Sequence, residues 1–320
     1  MKLFSLVVLF ITFATINAFE RYITVHVATW NVNEKKPPGD LDKFLGQLSE
    51  NADERPDIVI VGLQEVTMSV RQAVTNYFLI DRWTQAIEDN LTNKNYVKIK
   101  TVSMLGVVLN AYVLLEHAWT LDHKQTDRVM TGFAGLSPNK GGVLMKFKLY
   151  DRWFCLVNAH FHAHDKDLSK RINDFATINE RREEHCNFSS DYIFWLGDLN
   201  FRIVENIGYT GEKILSMINQ GKLDELLEND QLFVTKKAGE IFSGFSEAPI
   251  NFPPTYKIVV DEGRYNLKRR PAWTDRILYK SEAGREITPI MYKSIESYKI
   301  SDHYPVHAQF KIMIDTDKSG

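Results

Sequence analysis

Short apolar runs that stop abruptly at a polar residue recur along this chain, and they constrain its fold more than any other feature. Asp57-Ile58-Val59-Ile60-Val61 leads to Gln64-Glu65, Phe154-Cys155-Leu156-Val157 leads to Asn158 and His160, and Tyr192-Ile193-Phe194-Trp195-Leu196 leads to Asp198 and Asn200. Runs this short, apolar at successive positions, read as strands buried on both faces. Other segments alternate, such as Val143, Met145, Phe147 and Leu149, or Val306, Ala308, Phe310 and Ile312, and predict strands with one face on a core. The alternation from Ile23 to Ala28 predicts a first strand. Helical spacing falls between the strands: Leu168, Ile172, Phe175 and Ile178 predict a helix over 168–184, and further helices are expected over 41–48 and 70–91. Strands and helices interleaved in this way indicate an α/β or α+β domain in which helices cover packed sheets.

The chain has 320 residues, 25% of them charged and 44% hydrophobic, enough to bury a large core. No Pro/Gly/Ser-rich seam or internal repeat divides it, so residues 19–320 are expected to form one catalytic domain. A net charge of -2 argues against a broadly basic nucleic-acid surface, and any anion site must be local. At the N-terminus, Lys2 precedes an apolar run from Leu3 to Ile16 that ends in Ile16-Asn17-Ala18. The run is shorter than the roughly 20 residues of a spanning helix, and residues 1–18 read as a signal peptide of a secreted protein. The sequence has two cysteines, Cys155 and Cys186. Paired, they close a loop of about 30 residues, worth about 3 to 4 kcal/mol; unpaired, Cys155 is a buried thiol in an apolar strand. Both readings stand. Two glycosylation sequons begin at Asn90 and Asn187.

Six segments carry the chemistry. The strongest are Trp195-Leu196-Gly197-Asp198-Leu199-Asn200-Phe201-Arg202 and Pro271-Ala272-Trp273-Thr274-Asp275-Arg276-Ile277-Leu278. In register with them are Thr29-Trp30-Asn31-Val32-Asn33, Gly62-Leu63-Gln64-Glu65, Asn139-Lys140-Gly141-Gly142-Val143 followed by Asn158-Ala159-His160, and Ser301-Asp302-His303. Together, and in this order, they resemble the inositol polyphosphate 5-phosphatase family of the DNase I-like superfamily. That resemblance implies an α/β fold, a four-layered α/β sandwich of two mixed sheets flanked by helices, with the active site where strand ends converge. It implies Mg²⁺ as cofactor and hydrolysis of the 5-phosphate of a phosphoinositide lipid or a soluble inositol phosphate, without a covalent enzyme intermediate. A monomer with transient membrane-surface contact and no nucleic-acid partner is expected.

Hydrolysis of a phosphate monoester needs a cation, a group that orients water, and donors for the phosphoryl oxygens. Glu65 is the best candidate metal ligand, with Asn31 nearby and Gln64 as an alternative, because a hard cation prefers carboxylate and amide oxygens. Asp198 is the candidate base or water-orienting group, and Asn200 a holder of phosphate or water. His160 and His303 are candidate donors to phosphate. The resemblance pairs His303 with Asp275, whose carboxylate favours the charged ring. Asp302 completes the polar cluster. Substrate contacts are expected from Lys140 and Asn158, and, by the resemblance, from Tyr256, Lys257 and Arg269. Family members often carry Lys four residues before the Pro of the Pro-Ala-Trp segment, where this chain has Leu267, so either Lys268 or Arg270 is the substitute.

Singly, these residues also have structural readings. A Trp-Leu-Gly-Asp run can end a strand at a turn, and Lys268-Arg269-Arg270 can be a solvated patch. Their joint occurrence in one order decides for the site. The remaining histidines, including His26, His117, His162, His164 and His307, are read as structural, and no His-Glu-x-x-His pattern supports zinc. Two rival functions share the resemblance. One is a secreted phosphodiesterase of the same superfamily, a sphingomyelinase or nuclease. The other is an inactive secreted carrier like the haem-binding relatives of blood-feeding insects, which a thiolate-type Soret band would reveal.

Overall fold

A computed structural model describes residues 20–48, 51, 55–66, 81–132, 140–186, 190–205 and 207–315. The expected signal peptide, the sequon at Asn187 and the first part of the helix expected over 70–91 lie outside the described residues.

Twelve strands form two six-stranded sheets among the described residues. The first sheet contains β1 (Glu20–Asn31), β2 (Ile58–Gln64), β3 (Tyr96–Met104), β4 (Val107–Leu114), β11 (Ile287–Ser294) and β12 (Val306–Asp315), in the order β11-β12-β1-β2-β4-β3. The second contains β5 (Leu121–Met130), β6 (Gly141–Leu149), β7 (Arg152–His160), β8 (Tyr192–Asp198), β9 (Ser246–Glu247) and β10 (Asp275–Ser281), in the order β5-β6-β7-β8-β10-β9. Each sheet has one parallel pair at its centre, β1 with β2 and β7 with β8, and its other pairs are antiparallel. The sheets are therefore mixed, as expected.

The continuous apolar runs have a direct explanation in this stacking. Ile58 and Ile60 of β2 face the second sheet and join Val25, Val27, Met145, Phe147, Leu156, Phe194 and Phe310 in the central core. Val59 and Val61, on the opposite face, pack with Trp30, Phe44, Trp83 and Ile87. Strand β8 divides likewise: Phe194 and Leu196 point inward, while Ile193 and Trp195 pack outward against Phe175 and Phe242. The alternating sets Val143/Met145/Phe147/Leu149 and Val306/Ala308/Phe310/Ile312 all face the central core.

Helix α1 (Arg82–Thr92) covers the first sheet with Trp83, Ile87 and Leu91, and its N-cap Asp81 accepts the Thr84 amide at 2.8 Å. Helix α2 (Leu168–His185) covers the second sheet through Phe175 and Ile178. Three shorter helices follow: α3 (Gly211–Asn219), α4 (Leu223–Leu227) and α5 (Gln231–Lys237). Cys155 of β7 is joined to Cys186, which caps the C-terminus of α2, so the disulfide fixes the helix to its sheet.

Two helix expectations are corrected. Residues 41–48 form turns instead of a helix, although Leu41, Phe44, Leu45 and Leu48 are all buried. Gly46 and Gln47 adopt φ of 103° and 55°, and Asp42 Oδ1 accepts the Leu48 amide at 2.9 Å, which ends the coil after one turn. Within the described residues, the helix expected over 70–91 begins at Arg82, after its cap.

Candidate active site

The parallel pairs of the two sheets end side by side. Asn31 lies opposite Gln64 at the end of β1 and β2, His160 lies opposite Asp198 at the end of β7 and β8, and Asp275 lies opposite Asp198 on the other side. One side chain ties the sheets together here: Asn31 Nδ2 donates to Glu65 Oε1 at 3.1 Å and to Asp198 Oδ2 at 3.0 Å.

Backbone geometry at the strand ends aims these groups. Glu65 and Asn200 take left-handed φ values of 54° and 55°, uncommon for residues with a side chain. Glu65 is held there by neighbours on both sides, since the Glu34 amide donates to its carbonyl and the Val66 amide to Gly106. Gly197 has φ 142°, and a Cβ on it would lie 2.0 Å from the Ala159 carbonyl oxygen. Only glycine fits at the third position of the Trp-Leu-Gly-Asp run, between β8 and β7.

Asp198 is buried and surrounded by donors. His160 Nε2 is 3.3 Å from its Oδ2 and His303 Nε2 is 4.0 Å away, while the Asn200 amide donates to Oδ1 at 3.1 Å. Burial alone would raise this carboxyl, but the hydrogen bond with His160 and the charges of His303 and Lys140 hold it well below the usual range. His303 moves the other way. Burial disfavours its charge, yet Asp275 and Asp198 raise it to about 10. His303 Nδ1 lies 2.9 Å from Asp275 Oδ2, which also accepts from Thr255 Oγ1 at 2.6 Å and Thr274 Oγ1 at 2.8 Å. Burial and the charge of Lys140 lower His160, whose Nε2 faces both Asp198 Oδ2 and Lys140 Nζ and so donates to the carboxylate in one tautomer or accepts from the lysine in the other. Burial in turn lowers Lys140 itself, against the pull of Asp198 and Glu65.

At the strand ends, two groups of side chains could hold a cation. Ligand atoms of Asp198, Asp275 and His303 lie within 4.8 Å of one another. That space already contains a charged imidazole, and Asp275 is saturated by His303 and two hydroxyls, so it is an ion-pair centre. Glu65 and Asn31 suit a hard cation better. Glu65 offers carboxylate oxygens and its side chain is 34% exposed where that of Asp198 is 2% exposed, while Asn31 Oδ1, which accepts the Asn33 amide at 3.0 Å, keeps one lone pair for a cation.

Beside this centre, Tyr256 packs against His303 with ring centroids 4.6 Å apart and planes tilted by 41°, and Lys257 Nζ donates to Asp302 Oδ2 at 2.6 Å. The charge of Arg269 is felt at Lys257, and Lys268 and Arg269 are exposed on the adjoining hairpin. The structure thus assembles Asn31, Glu65, Lys140, His160, Asp198, Asn200, Asp275, His303, Tyr256, Lys257 and Asp302, with Lys268 and Arg269 further out. Asp302 completes the polar cluster through its bond with Lys257.

Three expectations are corrected. Asn158 is not a substrate contact: it is fully buried between the sheets, donating to the carbonyls of Leu63 at 3.1 Å and Val108 at 2.7 Å and accepting from Gln64 Nε2 at 2.7 Å. The same bond, with one to Thr29 Oγ1 at 3.0 Å, turns Gln64 away from the cation position. Arg270 does not substitute for the missing lysine, because its guanidinium bonds Asp165 Oδ2 at 2.8 Å and the Ile203 carbonyl at 2.8 Å, anchoring the basic hairpin. Thr255, Thr274 and Arg202 were missed as site residues. Thr274 and Arg202 lie within the two strongest motifs, and that was the signal available for them.

Comparison with known proteins agrees with this geometry. Residues 28–309 match the Endonuclease/Exonuclease/phosphatase family 2. The chain belongs to that family. Phosphatidylinositol 4,5-bisphosphate 5-phosphatase A of Mus musculus is 36% identical over 307 residues, covering 89% of this chain and 30% of that protein. This chain therefore spans about three-tenths of the length of that relative. Among solved structures, the inositol polyphosphate 5-phosphatase domain of SPsynaptojanin, in complex with inositol (1,4)-bisphosphate and calcium ion, superposes with a TM-score of 0.79. It is 30% identical, and the match covers 92% of this chain and 85% of that one. Nitrophorin Cim l NP of Cimex lectularius is 29% identical over 294 residues, covering 91% of each chain. The fold of this family member is the DNase I-like sandwich of two mixed sheets flanked by helices.

Proposed function

We propose that this chain is a secreted, Mg²⁺-dependent phosphoric monoester hydrolase that removes the 5-phosphate from phosphoinositides such as the phosphatidylinositol 4,5-bisphosphate and 3,4,5-trisphosphate lipids, and from soluble inositol polyphosphates. The observation that carries the reading is the ionised Asp198 flanked by the charged His303–Asp275 pair at the meeting point of the two sheets. The similarity to a phosphatidylinositol 4,5-bisphosphate 5-phosphatase and to a domain complexed with inositol (1,4)-bisphosphate supports the substrate class.

Glu65 and Asn31 would hold Mg²⁺, which supplies positive charge for the phosphoryl oxygens. Asp198 orients the attacking water and accepts its proton at Oδ2. His303 donates from Nε2 to a phosphoryl oxygen, and Asp275 keeps that imidazole charged and fixed through Nδ1. Asn200, locked to Asp198 through its backbone, borders the same space. Lys140, Tyr256 and Lys257 receive the phosphate-bearing ring, with Lys268 and Arg269 outside them. No side chain in this set needs to form a covalent intermediate.

Secretion is supported by the apolar run at residues 3–16 and by the Cys155–Cys186 disulfide, since such bonds persist in oxidising compartments. The carrier reading, motivated by the nitrophorin similarity, meets an obstacle in the same bond. Both cysteines of the chain are consumed by it, which leaves no thiolate to ligate haem. The deciding experiment is phosphate release by the purified chain from phosphatidylinositol 4,5-bisphosphate and inositol 1,4,5-trisphosphate, with Mg²⁺ and with chelator. Metal-dependent loss of the 5-phosphate upholds the proposal; cleavage of sphingomyelin or plasmid DNA in its place replaces it with the diesterase.

A further inference from the structure

Arg202 is buried at the end of the Trp195–Arg202 segment, behind the residues that meet the substrate. It does two things at once. Its Nε donates to the Asn200 carbonyl at 3.1 Å and its Nη2 donates to Asn200 Oδ1. Its guanidinium carbon also lies 4.5 Å from the centre of the Tyr256 ring, whose packing against His303 is described above. Tyr256 is therefore in contact with the Arg202 guanidinium and the charged His303 imidazole, with Lys257 Nζ also 5.5 Å from its ring centre.

The surroundings leave Arg202 little freedom. Its own amide donates to Gln231 Oε1 at 3.0 Å, and the same oxygen accepts Arg171 Nη2 at 2.7 Å. These bonds fix the Arg202 backbone; its guanidinium is held by its two bonds to Asn200 and lies over the Tyr256 ring, a combination of fork and planar cation that an ammonium cannot reproduce. The Asn200 amide is thereby oriented with its oxygen toward Arg202 and its Nδ2 on the Phe161 carbonyl at 3.1 Å.

We infer that Arg202 is a positioning residue that links Asn200, next to Asp198, to Tyr256, on the wall proposed to receive the phosphate-bearing ring. The link couples recognition of that ring to the catalytic set. This inference rests on the proposed function for its substrate, but it has a test that needs no turnover. Contact between a guanidinium and the face of an aromatic ring is worth roughly 0.5 kcal/mol when exposed to 2 kcal/mol when desolvated, about two- to thirtyfold in affinity.

The experiment is a double-mutant cycle between Arg202→Lys and replacement of the Tyr256 ring, read by calorimetric binding of inositol 1,4-bisphosphate and by turnover of inositol 1,4,5-trisphosphate. Arg202→Lys is expected to weaken inositol 1,4-bisphosphate binding about tenfold in the wild-type background and in the Tyr256→Phe background, both of which keep an aromatic ring in the stack. In the Tyr256→Leu background the same change should cost less than about twofold, because the stack is already gone. The kcat loss through Asn200 should persist in all three backgrounds. Equal binding penalties with and without the ring would overturn the inference. If Arg202→Lys does not fold by circular dichroism, Arg202→Gln, which keeps an amide donor for Asn200, enters the same cycle. Normal binding coupling in a wild-type chain that releases no phosphate would count against the hydrolase reading and leave the Arg202 link standing.

Discussion

Asp275 Oδ2 lies 2.9 Å from Nδ1 of His303, and with Asp198 it raises that imidazole to about 10. The raised value means that His303 is charged throughout the neutral range. Its contribution to stability is fully present below the unfolded value near 6.5 and is lost as pH rises through about 10. Activity that needs the imidazolium should follow the same limb. Asp275→Asn removes the main source of the shift while burial remains, so the alkaline limb of kcat/KM should move down by several pH units toward neutrality. With the limb near the ordinary imidazole value, the loss at pH 7.5 should be about tenfold. A pH profile of the variant that kept its alkaline limb near that of the wild type would show that the pair does not set the charge.

Glu65 is the exposed carboxylate of the proposed cation site, so its charge should govern metal affinity more than folding. Glu65→Gln is expected to raise the Mg²⁺ concentration for half-maximal activity by at least about tenfold. Wild-type protein should gain about 2.7 kcal/mol of stability at Mg²⁺ concentrations a hundred times the dissociation constant, a gain that chelator removes. Thermal midpoints measured across a Mg²⁺ titration check this without an activity assay, and the variant curve should be displaced to higher metal.

Asn158 gives the opposite profile. Its amide stitches β7 to β2 and β4 through Leu63, Val108 and Gln64 in a fully buried position. Asn158→Ala strands two carbonyls and one amide away from water, and a cost of about 2 to 4 kcal/mol is expected in urea denaturation. kcat/KM per folded molecule should change far less than stability does.

The strand ends were legible because chemistry and periodicity coincide there. Glu65, His160 and Asp198 each follow an apolar run, and the sheets do bring those ends together. Period alone misled at residues 41–48, where the spacing of Leu41, Phe44, Leu45 and Leu48 suits a helix, but glycine at 46 and the Asp42 side chain close the turn first. Asn158 illustrates a different limit. A polar residue two positions before His160 on the same strand shares its face, yet here that face is roofed by the other sheet until the strand emerges at the site. Nothing in one strand's sequence reports what lies opposite it. The cysteines were ambiguous for the same reason, since pairing depends on α2 laying its C-terminus across β7. Arg202 closes one of the two strongest motifs, but nothing in that segment reports that the fold places the Tyr256 ring against it.

The Cys155–Cys186 bond spans a separation of 31 residues and joins α2 to the sheet it covers. Closing a loop of that size in the unfolded chain is worth about 3 to 4 kcal/mol. Cys155→Ala with Cys186→Ala should lower stability by that amount while the strand ends at the site remain in place. Chemical denaturation of the doubly substituted chain and of the oxidised wild type measures it. A loss below about 1 kcal/mol would mean that the outer packing of Phe175, Ile178 and Trp195 already holds the helix.

Acid stability should be set on the far side of the first sheet, at His26 and His307. Their rings meet edge to face with centroids 5.5 Å apart, and the Nδ1 atoms of both are buried without a hydrogen-bond partner. Burial lowers His26 to about 4, only partly offset by its bond to the Phe44 carbonyl. Burial, His26 and Lys293 lower His307 to about 3. A histidine depressed in the folded state contributes stability that is whole above the unfolded value near 6.5 and is lost as pH falls toward the folded value. Between pH 6.5 and 4 the unfolded chain binds the extra protons, so each ring should cost up to about 1.4 kcal/mol per pH unit. Asp198 and His303 add little inside this window, because in the unfolded chain the carboxyl takes up its proton near 3.8, below it, and the imidazole near 6.5, at its upper edge. Urea denaturation at pH 7 and pH 4.5 should therefore show a clear loss of stability, and His26→Gln, which keeps a donor for Phe44, should flatten the slope by about one proton. An unchanged slope in that variant would place the acid sensitivity elsewhere.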